Sequence, residues 1–206
     1  MKSKFDHHSV INWDFNYGVL HRSLSATRYI SAPTSLKLMN TGAGTIEHDI
    51  LCRLDTTLNL AQGEARTWRW ATYTGTDLFL FRNQAALGSA NKLNSYIIHR
   101  AGNNHYLDRY IAGVYERIGY WVSPSIAQTW EHWRVVWWNG VDGGGNPALA
   151  VDFYQEVDSA WVKKGATVYD IDNQWSDSDI NRCGLLGLSA SFNPWWFDDT
   201  EIWGPV

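Results

Sequence analysis

Four carboxylates crowd one short stretch of this 206-residue chain, Tyr169-Asp170-Ile171-Asp172-Asn173-Gln174-Trp175-Ser176-Asp177-Ser178-Asp179. Calcium takes about six to eight oxygen ligands, and a flexible acidic loop can supply them. Asp170, Asp172, Asp177 and Asp179 are therefore the candidate metal ligands, with Asp198 or Asp199 as further donors. The spacing lacks the glycine and terminal Glu of an EF-hand, so a solvated acidic loop is the alternative. The aromatic residues open a second kind of chemistry. Sugars present apolar C–H faces, onto which flat exposed rings flanked by polar groups can stack. Trp138, Trp175, Trp68, Trp70, Tyr73 and Trp121 are the candidate ligand-binding rings, with Tyr120 beside them. Trp138 and Trp175 lead the set, because Trp138 falls opposite the apolar side of its strand and Trp175 sits in a polar loop. The same rings would serve equally as anchors for protein docking, where Trp and Tyr are enriched.

Familiar catalytic motifs are missing. The chain has no serine nucleophile elbow, no glycine-rich phosphate loop and no His/Cys metal motif. His7-His8 reads as a solvated pair, and His99 and His105 stand near Tyr96 and Tyr106 in a chain rich in tyrosine. Cys52 and Cys183 read as buried thiols, with a disulfide between an early and a late strand left open.

Composition narrows the partners. A net charge of −4 with scattered Lys and Arg gives no footprint for a phosphate backbone, so nucleic acid is not an expected partner. No apolar run is long enough to span a bilayer as a helix. The opening Met1-Lys2-Ser3-Lys4-Phe5-Asp6-His7-His8 is followed by no apolar segment of the kind a cleaved secretion signal needs. With 45% apolar and 18% charged residues the chain is expected to fold, and 13 Trp, 10 Tyr and 7 Phe favour strands over helices.

Short alternating segments must position these residues. Leu36 and Leu38 stand at strand period after Pro33, and Ile50, Cys52 and Leu54 share a face opposite Asp49, Leu51 and Arg53. Further strands are expected at 67–73, 78–82, 96–100, 106–112 and 117–122. The clearest alternation puts Trp133, Val135 and Trp137 on one side, and His132, Arg134, Val136 and Trp138 on the other. Asn139-Gly140 then opens a glycine-rich connection to a return strand on which Leu149, Val151 and Phe153 oppose Ala150, Asp152 and Tyr154. Ten or more short strands with turns between them, and no sustained helical period, predict a single all-β domain over 1–206.

Trp130-x-x-Trp133-x-Val135-x-Trp137, followed by Asn139-Gly140, resembles the central hairpin of concanavalin A-like and laminin-G-like domains. The closing Phe197-Asp198-Asp199-Thr200-Glu201-Ile202 is similar to the last strand of that family, and Ser31-x-Pro33-x-Ser35-Leu36-x-Leu38 to an early one. The resemblance implies a two-sheet antiparallel jelly-roll sandwich, often with a concave face that binds sugars. It also allows a test for hydrolase chemistry. Laminarinase-like members carry Glu-x-Asp-x-x-Glu on one strand, and retaining hydrolysis needs two carboxylates about 5–5.5 Å apart. Glu156-Val157-Asp158-Ser159-Ala160-Trp161 keeps the first two acids but has Trp161 where the proton donor should stand. The lyase pattern of Arg, Gln-x-His and a Tyr-rich strand is missing too, so no catalytic activity is expected.

Two functions fit what remains. One is a structural or adhesive virion protein, such as a phage capsid decoration or tail-associated subunit. It would be assembled in the host cytoplasm, displayed on the virion surface, and partnered by other virion proteins or by further copies in a homo-oligomer. The lack of a secretion signal weighs toward it. The alternative is a freestanding carbohydrate-binding, lectin-like module whose partners are glycans. Calcium is the one cofactor expected, and neither function calls for a membrane.

Overall fold

A computed structural model describes residues 2–4, 13–15, 22–27, 35–38, 50–54, 65–73, 78–84, 94–124, 126, 129–175, 182–187 and 195–203. The strands in chain order are β1 (Lys2–Lys4), β2 (Trp13–Phe15), β3 (Arg22–Ser25), β4 (Ser35–Leu38), β5 (Ile50–Leu54), β6 (Ala65–Tyr73), β7 (Leu78–Asn83) and β8 (Ser95–Ala101). They continue with β9 (Asn104–Ile111), β10 (Val114–Val122), β11 (Trp130–Val141), β12 (Pro147–Val157), β13 (Ala160–Lys163), β14 (Val168–Asp170), β15 (Arg182–Gly187) and β16 (Trp195–Trp203). A nine-stranded sheet runs β13-β12-β11-β6-β16-β4-β3, with β14 also on β12 and β1 also on β16. The second, seven-stranded sheet runs β10-β9-β8-β7-β15-β5-β2. Two antiparallel sheets closing one core make this an all-β jelly-roll sandwich.

The period-two pattern of β11 drives the packing. Trp133, Val135 and Trp137 are buried while His132, Arg134, Val136 and Trp138 are half-buried, as a two-faced strand requires. Trp137 packs on Phe79 and Phe81 of the second sheet, with ring centroids 6.1 and 5.0 Å away. Trp133 and Trp121 both stack on Phe153, at 5.4 and 5.3 Å. Removing a ring this well enclosed typically costs about 3–5 kcal/mol, so these contacts weigh heavily in holding the sheets together.

Turns differ from the sequence expectation in two informative places. Asn139 and Gly140 stay in β11, paired with Leu149 and Ala148, and the chain reverses beyond them at Asp142–Asn146. The Asp142 carboxylate closes that reversal by accepting from the amides of Gly144 and Asn146 at 2.9 and 2.8 Å. Second, the stretch compared with a hydrolase motif does not lie on one strand. Asp158 and Ser159 turn the chain with φ of 50° and 64°, so Glu156 on β12 faces Trp161 across the ladder on β13. Consecutive positive φ values are the signature of a two-residue hairpin, which no strand-long acidic motif can cross. As for the cysteines, register sets Cys52 opposite Leu185, leaving Cys183 two positions along. Such diagonal positions lie about 7–8 Å apart, longer than the usual disulfide span.

Candidate functional site

Directly opposite residues on antiparallel strands share a face, so the outward positions of the nine-stranded sheet form rows. One row is Trp138, Ala150 and Tyr169, and the next is Val136 and Asp152. A third is Arg134, Tyr154 and Lys163, and a fourth His132, Glu156 and Trp161. On β6 the register carries the same rows through Ala65, Thr67, Arg69 and Ala71. From Trp138 to His132 is six residues, or about 20 Å of strand.

The side chains on this surface are organised. The Trp138 indole lies along its strand over Gly140, where an added Cβ would meet Nε1 at 2.8 Å. Ala150 is fully buried between Trp138 and the 40%-exposed Tyr169, so two rings flank a small residue at this end. At the other end the Arg134 guanidinium sits 4.3 Å from the Tyr154 ring centre and 5.0 Å from that of Trp161. Lys163 Nζ pairs with Asp152 at 2.7 Å, and Tyr154 donates its hydroxyl to the same carboxylate at 3.2 Å. Burial, and then the charge of Asp152, push the Tyr154 phenol above its ordinary value, keeping it a donor. His132 Nδ1 and Glu156 Oε2 are 2.5 Å apart. Aromatic rings thus alternate with fixed donors and acceptors along a surface of oligosaccharide length.

The expected site residues are distributed differently. Trp121 is 1% exposed, gives its indole N–H to the Ala166 carbonyl at 3.1 Å and belongs to the core. Trp68 and Trp70 pair in register with Val135 and Trp133, two core positions, and Tyr73 pairs with Trp130. Trp175 lies half-buried five residues after β14, in a positive-φ conformation, edge-on to Tyr96 at 5.7 Å. Of the six rings, only Trp138 is placed among the outward rows just described.

The described half of the acidic quartet closes on a side-chain cation. Asp170 is 4% exposed and accepts from Arg109 Nη1 at 2.9 and 3.0 Å and from the Tyr96 hydroxyl at 2.5 Å. Asp172 reaches the same Arg109 nitrogen at 2.6 Å, and Glu116 binds Nη2 at 2.6 Å. Arg109 thereby supplies a positive charge to the described half of this loop. Asp177 and Asp179 lie outside the described residues, as do the side chains of Asp198 and Asp199. Among the described residues no group of three or more His, Cys, Asp or Glu side chains is arranged to hold a metal ion. The loop is also tied to the sandwich by Arg82, which donates to Asn173 Oδ1 at 2.8 Å, to the Gln174 carbonyl at 3.2 Å and to Asn139 Oδ1.

The seven-stranded sheet has its own outward aromatic patch. Arg117 lies 3.8 Å over Tyr106, whose ring also meets His99 at 5.4 Å and Tyr120 at 6.0 Å. Asp108 meets both His99 Nδ1 and Arg117 Nε at 3.1 Å.

No protein-family model and no curated protein sequence matches the chain. Solved structures do. The globular domain of T. cruzi calreticulin superposes with a TM-score of 0.59 at 11% identity, covering 100% of this chain and 88% of that one. A PL-14 alginate lyase from Aplysia kurodai gives 0.58 at 12% identity, covering 100% and 98%. The carbohydrate-binding module CBM66 from Bacillus subtilis gives 0.50 at 11% identity, covering 92% and 93%. The likeness is one of fold. It agrees with the two-sheet jelly-roll sandwich that the Trp130–Gly140 and 197–202 segments imply.

Tyr154, Trp161, Arg134, Lys163 and Tyr169 were not among the expected site residues. The outward parity of Arg134 and Tyr154 was legible in the alternation of their strands. What was missing was the β12–β13 turn, without which Trp161 cannot be set beside Glu156.

Proposed function

We propose that this chain is a non-catalytic carbohydrate-binding β-sandwich whose ligand lies on the outer face of the nine-stranded sheet, across β11, β12, β13 and β14. One observation carries the proposal: Trp138, Tyr154, Trp161 and Tyr169 share that face with the fixed polar groups of Asp152, Lys163, His132 and Glu156. Flat rings take the apolar side of a pyranose, and the polar groups set its hydroxyls. Support comes also from the fold likenesses, one to a carbohydrate-binding module and one to an enzyme acting on alginate. They favour the sugar-binding expectation over the virion-subunit one.

The test is a glycan-array screen of the purified chain, with and without calcium, followed by calorimetry on any hit. Trp138→Ala and Trp161→Ala are each expected to weaken binding about tenfold or more, a stacked ring being worth roughly 1–3 kcal/mol. Trp175→Ala and Tyr120→Ala, at the loop and on the opposite sheet, should leave it within twofold. Loss only in one of the latter two would move the site, and silence across a broad array would reject the function.

A further inference from the structure

We infer that the ligand of this face is the interior of an extended, neutral glycan chain, about four or five pyranose units of which lie across two separate aromatic platforms. The assignment rests on the sugar-binding function proposed above and names its substrate class. The rings divide into two groups along the strands. Trp138 and Tyr169 share one row, on either side of the fully buried Ala150. Tyr154 lies four positions along the ladder, about 13 Å away, and Trp161 six positions, about 20 Å. Between the two groups the row of Val136 and Asp152 carries no ring, and it lies low, Val136 being half-buried and Asp152 8% exposed.

Both platforms are held in place before any ligand arrives. The Trp138 indole occupies the space a side chain at position 140 would take, where an added Cβ would meet Nε1 at 2.8 Å and Cδ1 at 3.1 Å. Gly140 thus lets the ring lie along the sheet, leaning away from Tyr154, so the gap between the platforms is lengthened rather than closed. At the other platform the Arg134 guanidinium packs 4.3 Å from the Tyr154 ring centre and 5.0 Å from that of Trp161, which joins the two rings in one cluster. Pre-organised rings cost little to order on binding. The polar groups near them come as pairs, Lys163 with Asp152 at 2.7 Å and His132 with Glu156 at 2.5 Å. A hydroxyl both donates and accepts, so a donor set beside an acceptor suits a neutral sugar. A pyranose in an extended chain advances about 5 Å, being a ring and one bridging oxygen built of roughly 1.5 Å bonds. A disaccharide therefore reaches one platform only, whereas about four or five units fill both. Once the first platform is engaged, the second contact forms within one complex and adds more than it would alone. A ribbon-like chain with β-1,4 links stays on the surface across the gap, while a coiled chain lifts away from it.

The deciding experiment is calorimetric titration of the full chain with xylo-, manno- and cello-oligosaccharides of increasing length, from disaccharide to hexasaccharide. Malto-oligosaccharides, which coil, are the contrast. In at least one β-1,4-linked series, affinity is expected to rise about tenfold or more from trisaccharide to pentasaccharide and to change less than about twofold beyond it. The parent polymer should bind as well as the pentasaccharide. Trp138→Ala and Trp161→Ala should each hold the pentasaccharide at the wild-type level for the trisaccharide, removing the dependence on length. Gly140→Ala, which displaces the indole without deleting it, should act in the same direction as Trp138→Ala. Affinity already complete at the trisaccharide, a polymer that fails where its oligosaccharides bind, preference for the malto series, or a length dependence that survives both ring variants would each overturn the chain-interior assignment and leave sugar binding standing. Silence across all four series overturns it too, and together with an empty glycan array it overturns both. Should the variants not fold, the wild-type length series decides alone.

Discussion

Asp170→Ala separates a structural ion pair from a metal site. In the folded chain this carboxylate is almost wholly buried and accepts from Arg109, from the Tyr96 hydroxyl and from the Asp172 amide. Breaking a buried pair from one side typically costs about 3–5 kcal/mol, because the remaining charge stays desolvated. Arg109 would keep Asp172 and Glu116, both largely exposed, so the lower end of that range, about 3 kcal/mol, is expected. In a protein of this size each kcal/mol shifts the melting temperature by about 2–4 °C, giving a fall of about 6–12 °C. Asp170→Asn preserves shape and one acceptor and should cost less than the alanine variant. The assay is urea unfolding followed by tryptophan fluorescence, with parallel melts in excess calcium and in excess chelator. Wild type should melt at the same temperature in both. A cost below about 1 kcal/mol for Asp170→Ala, or a wild-type melt raised several degrees by calcium, would refute the assignment of Arg109 as the cation of this loop.

Two further outcomes follow from single positions. Burial, then the charge of Asp170, hold the Tyr96 phenol well above its ordinary value, so the folded chain keeps a proton that the unfolded chain gives up near pH 10. The contribution is complete below that pH and is lost above it, at up to about 1.4 kcal/mol per pH unit. Tyr96→Phe should flatten the alkaline loss of stability measured by urea unfolding between pH 9 and 11.5, and an unchanged slope would count against it. At the β12–β13 turn, Ser159 holds φ at 64° directly after Asp158 at 50°. Ser159→Gly supplies the residue such a turn favours and should stabilise the fold by about 0.5–1 kcal/mol. A destabilised variant in chemical denaturation would show that the serine side chain has a role there.

What could be read from the sequence was parity. Alternation over Trp130–Trp138 separates Trp133, Val135 and Trp137 from Arg134 and Trp138, and the structure packs them on opposite faces. Side-chain period is a local property, so it survives in the sequence. Turns with positive φ on non-glycine residues do not. Asp158-Ser159 carries no glycine to mark it, and the hydrolase comparison ran straight through it. At Asn139-Gly140 the usual turn signal was present, yet ladder pairing with Leu149 and the bond from Arg82 keep Asn139 in the strand. The acidic loop shows the same limit. Asp170 and Asp172 were visible as carboxylates, but Arg109 lies on another strand and only the fold brings it to them.

The two-sided pattern of β11 also sets how this protein can vary over generations. Residues that enclose the core and residues that meet the outside alternate along one strand, and they draw on separate sets of neighbours. Substitution at Arg134, Tyr154, Trp161 or Lys163 therefore leaves Trp133, Trp137 and Phe153 in place. A chain built this way can exchange the side chains it presents outward while its stability is inherited almost unchanged. Inserting one residue within β11, by contrast, would turn both sets over at once, so changes in length are expected to collect at the exposed Gly143-Gly144-Gly145 reversal.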